Sequence, residues 1–280
     1  MNVQKYRALL KTSQLLVIKV GTSSLAFKTR RLNFQWMTRL AHVLSTIRRE
    51  GRHVILVSSG AVGMGAGRLG IHKRPAKLSD KQALAALGQA ELIKIWQRIF
   101  RDYDQLVAQV LLTRDGMEDP VRRTNARNTL KTLLSMGVIP IINENDTVST
   151  REMEFGDNDQ LSARVCEITG ADLLVLISDI DGLYSADPKR NNMAGLIPVV
   201  YDISEEVEAA AGRAGTDVGT GGMATKLEAA RICRLAGTHM VIANGKDPAV
   251  IREILEGEEV GTLFIAQPTH TIKYWKQYMI

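Results

Sequence analysis

The sequence predicts an α/β fold of three layers, an α/β/α sandwich built on a mostly parallel sheet. Three observations carry that expectation. Near-continuous Val/Ile/Leu runs alternate with amphipathic stretches along almost the whole chain. The runs lack the polar alternation of a sheet with one wet face, so both of their faces are covered. The stretches between them are long enough for the crossover helices that parallel strands require.

Each element has its own signal. Leu15–Val20 (LLVIKV) reads as a buried strand. The stretch from Asn33 to Glu50 is helical, with Phe34, Met37, Leu40, Ala41, Leu44 and Ile47 on one face and Gly51 as its stop. His53–Val57 is the second strand. Ser79-Asp80-Lys81-Gln82 fits a capping box that opens a long helix to about Tyr103. Leu106–Leu112 is the third strand; Asp119 and Pro120 then start a helix by cap and first-turn proline, and Gly137 ends it. Val138–Ile142 and Leu173–Ile177 are the fourth and fifth strands, separated by a helix over 159–169. A helix from Met223 to Ala236 and a strand at Met240–Ala243 close the series. Residues 151–155 read as one arm of a small hairpin and 187–192 as a turn.

With 280 residues the chain can bury a large core. Its 45% apolar and 24% charged content is ordinary for a globular protein. No apolar run is long enough to span a bilayer, and residues 1–14 carry no apolar signal segment, so a cytoplasmic protein without a membrane partner is expected. Cys166 and Cys233 both fall in helical patterns without metal-ligand spacing and read as buried thiols. The net charge of +6 is scattered, its densest cluster being Lys28, Arg30 and Arg31, and aromatics are only 5% of the chain. That pattern lacks the stacking platform of a nucleic-acid binder. A modest positive field serves anionic small molecules equally well.

In such folds ligands bind at the carboxyl ends of the strands, so the loops after strands are the ones to read. The first strand leads into Lys19-Val20-Gly21-Thr22-Ser23, with a lysine whose charge is costly in an apolar strand unless anions meet it. The second ends in Ser58-Ser59-Gly60-Ala61 and the fourth in Asn143-Glu144-Asn145-Asp146. Gly156-Asp157-Asn158-Asp159 opens a helix, and the fifth strand ends in Ser178-Asp179 followed by Gly182-Leu183-Tyr184. One polar loop is usually a solvated turn. Five at one sheet edge are a site.

Residues 215–226 (GTDVGTGGMATK) add a glycine-rich turn that opens a helix, with Lys226 about one turn inside. Unpaired N–H groups at the positive end of the helix dipole form a seat for phosphate. The G-x-G-x-x-G match at Gly65–Gly70 fails its context, because no strand ending in an acidic residue follows it about twenty positions on. No P-loop pattern occurs, and the five histidines have no ligand spacing. No candidate general base stands out either. A carboxylate acceptor needs none, being ionised at neutral pH with a pKa of about 4; its reaction with ATP needs cations and oriented amides instead.

Taken together with Asn125-Ala126-Arg127-Asn128-Thr129-Leu130, these motifs resemble the amino acid kinase family over about residues 14–266. The resemblance is to members that use ATP, with Mg²⁺, to phosphorylate the side-chain carboxylate of L-glutamate in the first step of proline synthesis. It implies that Lys19 and Lys226 hold the transferring phosphoryl and that Asp159 positions both ammonium groups. Ser178, Asp179 and the loop of Thr220, Gly221, Gly222, Met223, Ala224, Thr225 and Lys226 would bind ATP. Ser59, Asn143, Asp146 and Asn158 would bind glutamate. The resemblance also implies a homo-oligomer, feedback inhibition by proline, and a glutamate-γ-phosphate reductase as functional partner. Residues 1–266 would form the kinase domain and 267–280 a tail, without the PUA-type module that many members carry.

Two other readings compete. A sibling kinase would act on acetylglutamate, aspartate or carbamate, but Glu144 and Asp146 suit a free α-ammonium, which acetylglutamate lacks. A catalytically inactive amino-acid sensor has no need of both Lys19 and Lys226.

Overall fold

The computed structural model describes residues 3–25, 32–71, 75–149, 158–187, 191, 193–213 and 222–267. A short helix α1 (Val3–Leu9) and a 3-10 turn (Leu10–Thr12) precede strand β1 (Leu15–Val20) and the single turn α2 (Thr22–Leu25). Helix α3 (Phe34–Arg49) starts where the Asn33 side chain accepts the Trp36 N–H, and the chain leaves it through Gly51 at φ 90°. Strand β2 (His53–Ser58), helices α4 (Ala61–Arg68) and α5 (Leu78–Arg101), and strand β3 (Val107–Leu112) follow. Next come α6 (Arg114–Glu118), α7 (Pro120–Ser135), β4 (Ile139–Glu144), α8 (Asn158–Thr169) and β5 (Leu173–Ser178). The chain closes with β6 (Val199–Val200), α9 (Glu205–Arg213), α10 (Met223–Leu235), β7 (His239–Asn244), α11 (Val250–Leu255) and β8 (Thr262–Phe264).

The eight strands lie in the order β3-β4-β2-β1-β5-β7-β8-β6. Every pairing is parallel except β7 with β8. The order turns at β1: the chain goes from it to β2 on one side and later to β5 on the other. The carboxyl ends of β1 and β5 therefore flank the point where ligand sites form in open α/β sheets.

Side-chain parity along β1 decides what each face meets. Leu16, Ile18 and Val20 join a core under α3, α5 and α11, with Met37, Leu40, Leu92, Trp96 and Ile251. Leu15 and Val17 join the opposite core under α7, α8 and α10, with Leu134, Leu161, Val165, Leu227 and Cys233. Lys19 has the parity of Leu15 and Val17, so it points toward α8 and α10. That placement brings it to the first turns of two helices.

Several elements carried weaker signals than these. The structure adds α1, α2, α4, α6, α9, α11, β6 and β8, and β4 runs two residues beyond Ile142. The capping box at Ser79 does not form. Helix α5 begins at Leu78 behind Lys77, with no side-chain cap, and Gln82 instead donates to the Ser149 carbonyl at 3.1 Å. Asp119 does cap α7, accepting the Arg122 N–H at 2.7 Å. The proposed hairpin arm at 151–155 lies outside the described residues. Both cysteines are buried and outside any disulfide, and no described helix is long and apolar enough to cross a membrane.

The rejected glycine pattern has a packing role. A Cβ on Gly65 in α4 would lie 2.0 Å from the Leu84 carbonyl oxygen, and one on Gly88 in α5 would lie 1.8 Å from that of Ala61. Helices α4 and α5 thus touch backbone to backbone. At the other end of the molecule, Arg7 of α1 is fully buried. Its guanidinium donates to the carbonyls of Val260 at 2.5 Å, Pro198 at 2.9 Å and Gly261 at 2.8 Å.

Candidate active site

Asp159 lies in the first turn of α8, 0% exposed, between two lysines. Its Oδ1 is 2.6 Å from Lys19 Nζ and its Oδ2 is 3.0 Å from Lys226 Nζ. Both lysines are only 6% exposed. Lys19 comes from β1, Lys226 from the first turn of α10, and a negative side chain at the start of α8 also complements that helix's dipole. Burial alone pushes the Asp159 carboxyl up, but the charges and hydrogen bonds of Lys19 and Lys226 outweigh it and hold the group below its ordinary range. Two ammonium groups thus converge on one carboxylate from two elements, an arrangement suited to meeting an anionic ligand.

The residue before it anchors a second cluster. Asn158 Nδ2 donates to Ser59 Oγ at 2.7 Å and to Asn143 Oδ1 at 2.9 Å. Asn143 Nδ2 in turn donates to Gln89 Oε1 of α5 at 2.8 Å. Ser59 reaches this cluster because the chain turns sharply from β2 into α4 at Gly60, whose φ of 111° disfavours any side chain. The neighbouring Ser58 is held from below, its Oγ accepting the Trp96 indole N–H at 3.1 Å. Asp146 sits half-buried in the turn after β4. That turn is fastened by the Asn145 N–H on the Leu112 carbonyl at 2.8 Å and by the Ser149 hydroxyl on Glu144 at 3.0 Å.

At the end of β5, Ser178 is buried and its hydroxyl donates to the exposed Asp179 at 3.3 Å. Ser178 pairs in register with Asn244 at the end of β7. Asn244 Nδ2 donates to Asp181 at 2.7 Å, and Tyr184 OH donates to the other Asp181 oxygen at 2.9 Å. That hydrogen bond, with some burial and the carboxylate charge, pushes the Tyr184 phenol up. Gly222 precedes α10, accepting the Thr225 hydroxyl at 2.8 Å, with Met223 buried and Ala224 exposed. Thr220, Gly221, Gly156 and Asp157 lie outside the described residues.

The structure therefore joins Lys19, Asp159 and Lys226 in one cluster, and Ser59, Asn143 and Asn158 in a second. The adjacent positions Asn158 and Asp159 connect them. Sequence reasoning missed Gln89 and Asn244. Gln89 sits inside a helix rather than in a post-strand loop, and its only signal is its place beside Gly88, where α5 crosses close to the β2–α4 turn. Asn244 had the same kind of signal as the residues found, being the polar end of a strand. Asn125, Arg127, Asn128 and Thr129 are exposed on α7.

The amino acid kinase family matches residues 14–244 of this chain. A glutamate 5-kinase of Listeria innocua is 48% identical over 265 residues, which covers 93% of this chain and 96% of the relative. One of Clostridium perfringens is 46% identical, covering 93% and 98%. One of Moorella thermoacetica is 48% identical over 280 residues, covering 99% of this chain and 74% of the relative. Among solved structures, the isopentenyl phosphate kinase of T. acidophilum superposes with a TM-score of 0.62 at 18% identity, covering 89% of this chain and 99% of that one. The UMP kinase of Ureaplasma parvum gives 0.63 at 15% identity, covering 90% and 99%. At those identities the structural likeness shows the fold alone.

Proposed function

The chain belongs to the amino acid kinase family, and on that premise we propose that it transfers the γ-phosphoryl of ATP to the side-chain carboxylate of L-glutamate, the reaction its curated relatives are named for. The observation that carries the proposal is the buried Lys19–Asp159–Lys226 triad. A carboxylate oxygen of glutamate attacks the γ-phosphorus, the bond from that phosphorus to the β–γ bridging oxygen breaks, and ADP leaves with the electron pair. No proton moves, so no base is required. The barrier comes from bringing two anions together and shifting charge toward ADP. Lys19 and Lys226, held apart by one carboxylate, meet that requirement from two elements at once.

Ser178, Asp179 and the N-terminal turn of α10, with Gly222, Met223, Ala224 and Thr225, are assigned to the nucleotide, together with Thr220 and Gly221. Unpaired N–H groups at a helix start support phosphate binding there. Ser59, Asn143, Asp146 and Asn158 are assigned to glutamate, whose α-ammonium needs acceptors and whose α-carboxylate needs donors. Mg²⁺, when bound, neutralises the nucleotide's phosphate oxygens. Among the described residues no group of three or more His, Cys, Asp or Glu forms a cage for it, and such a cation would draw its remaining ligands from the nucleotide and water. Because an acyl phosphate reacts readily with water, a reductase that consumes γ-glutamyl phosphate is the functional partner the chemistry calls for.

The test is ADP release and hydroxamate capture of the acyl phosphate, with glutamate, acetylglutamate and aspartate compared in parallel. Turnover with glutamate is expected to dominate. Turnover with acetylglutamate or aspartate instead would reassign the substrate, and no turnover with any of them would leave the sensor reading.

A further inference from the structure

We propose that Gln89 is a positioning residue that fixes which way the amides of Asn143 and Asn158 point, and thereby supplies, in addition to the Asp146 carboxylate, an acceptor that reads the substrate's α-ammonium. The inference rests on the assignment of Ser59, Asn143 and Asn158 to glutamate and goes one step behind it. Both hydrogens of Asn158 Nδ2 are spent, one on Ser59 Oγ at 2.7 Å and one on Asn143 Oδ1 at 2.9 Å. Its Oδ1 is therefore the end left over, and among the described residues no donor reaches it. The Ser59 hydroxyl, having accepted a hydrogen bond, keeps its own hydrogen to give away. The pair thus offers one acceptor and one donor, a match for an ammonium beside a carboxylate.

Nothing in Asn158 itself selects this orientation. An amide turned by a half rotation would present Nδ2 where Oδ1 now stands, and the network alone tells the two apart. Asn143 selects it by offering an oxygen. Asn143 offers that oxygen because its own Nδ2 is taken by Gln89 Oε1 at 2.8 Å. The polarity thus runs from Gln89 Oε1 through Asn143 to Asn158. The helix that carries Gln89 is locked in place at the preceding residue, where Gly88 meets the backbone of α4.

Gln89→Leu removes the acceptor and keeps the bulk. With Asn143 free to turn, Asn158 loses its fixed orientation, and the cost falls on the group it reads. The KM for glutamate is expected to rise about tenfold, as for one misplaced polar partner in a site built for hydrogen bonds. The KM for ATP should stay within about twofold, since the nucleotide residues are untouched. Inhibition by glutarate, which has both carboxylates and no ammonium, should change by less than about twofold, so discrimination between glutamate and glutarate collapses. Gln89→Glu keeps an oxygen in front of Asn143 Nδ2 and should hold the glutamate KM nearer the wild-type value than Gln89→Leu does.

A Gln89→Leu enzyme with wild-type discrimination between glutamate and glutarate overturns the proposal, as does a Gln89→Glu enzyme weaker for glutamate than the leucine variant. A wild-type enzyme that fails to phosphorylate glutamate overturns the substrate assignment instead, which keeps the two failures apart.

Discussion

Replacing Asp159 by asparagine separates what the carboxylate does for stability from what it does for catalysis. The wild-type side chain faces Lys19 at 2.6 Å and Lys226 at 3.0 Å with one oxygen each. An amide has one oxygen and one NH₂, so one ammonium keeps an acceptor while the other meets a donor. At an effective dielectric of about 20, each ion pair at that spacing is worth about 5–6 kcal/mol before desolvation. Breaking a buried pair from one side typically costs about 3–5 kcal/mol net. For a chain of this size that corresponds to a Tm lower by about 6–10 °C. Turnover should drop by about 10²–10³-fold, the loss expected when one preorganised electrostatic group is displaced, while the KM for ATP changes much less.

The comparison that sharpens the result is Lys226→Ala. It removes one ammonium group and keeps the carboxylate paired with Lys19, so it should lower kcat by a similar factor at a smaller cost in Tm. The pH dependence gives a further check. Because Asp159 is held below its ordinary range in the folded protein, its pairing stabilises fully above the unfolded value of about 4 and is lost as pH falls through the lower folded value. The stability gap between wild type and Asp159→Asn should therefore be constant at neutral pH and narrow only in strong acid. Kinetics by coupled ADP release and melting curves from pH 3 to pH 8 read all of this. An Asp159→Asn enzyme with wild-type kcat and Tm would refute the reasoning and reduce Asp159 to a first-turn helix residue.

Two other substitutions probe separate parts of the molecule. On the expectation from the family resemblance that proline inhibits, and that one carboxylate serves both α-ammonium groups, Asp146→Ala should raise the KM for glutamate and weaken proline binding together; calorimetric titration of proline without glutamate decides, and undiminished binding would place proline elsewhere. Gly88→Ala puts a methyl 1.8 Å from the Ala61 carbonyl oxygen, so α4 and α5 must part and stability should fall by about 1–3 kcal/mol or more. A melting temperature unchanged by that methyl would mean the two helices are not in the contact described.

The sheet was legible because its central strands are apolar on both faces, and β1 and β5 leave no other reading. The two lysines of the triad carried local signals, one in the middle of LLVIKV and one a turn after a glycine-rich loop, whereas the place of Asp159 between them was implied by the family resemblance alone. Local signals failed where a contact made far away decides the outcome. Ser79 has the chemistry of a cap, yet α5 begins one residue before it and Gln82 is drawn to the Ser149 carbonyl. Helix α4, with three glycines in its eight residues, has almost no intrinsic helical preference. It forms because one of them, Gly65, lets it lie on α5. Gln89 was missed for the same reason, since its neighbour Gly88 marks a close helix contact but not the hydrogen bond that Gln89 makes to Asn143. Strand β8 has three residues and no pattern of its own, and only the pairings with β7 and β6 define it.

The Arg7 clasp has a consequence for how the protein is made. Its three acceptors lie 253, 191 and 254 positions further along the chain. A ribosome therefore releases the first helix long before the carbonyls that will hold it exist. All the residues assigned to the two substrates, from Lys19 to Lys226, are synthesised in between. Until the last strand arrives, α1 has a buried-type arginine and nothing to donate it to, so it should dock last, after the sheet centre has formed. Pulse-labelling hydrogen exchange during refolding can watch this order: amides of β1 and β5 should be protected early and those of α1 late, and simultaneous protection would show that the two ends of the chain meet before the middle is built.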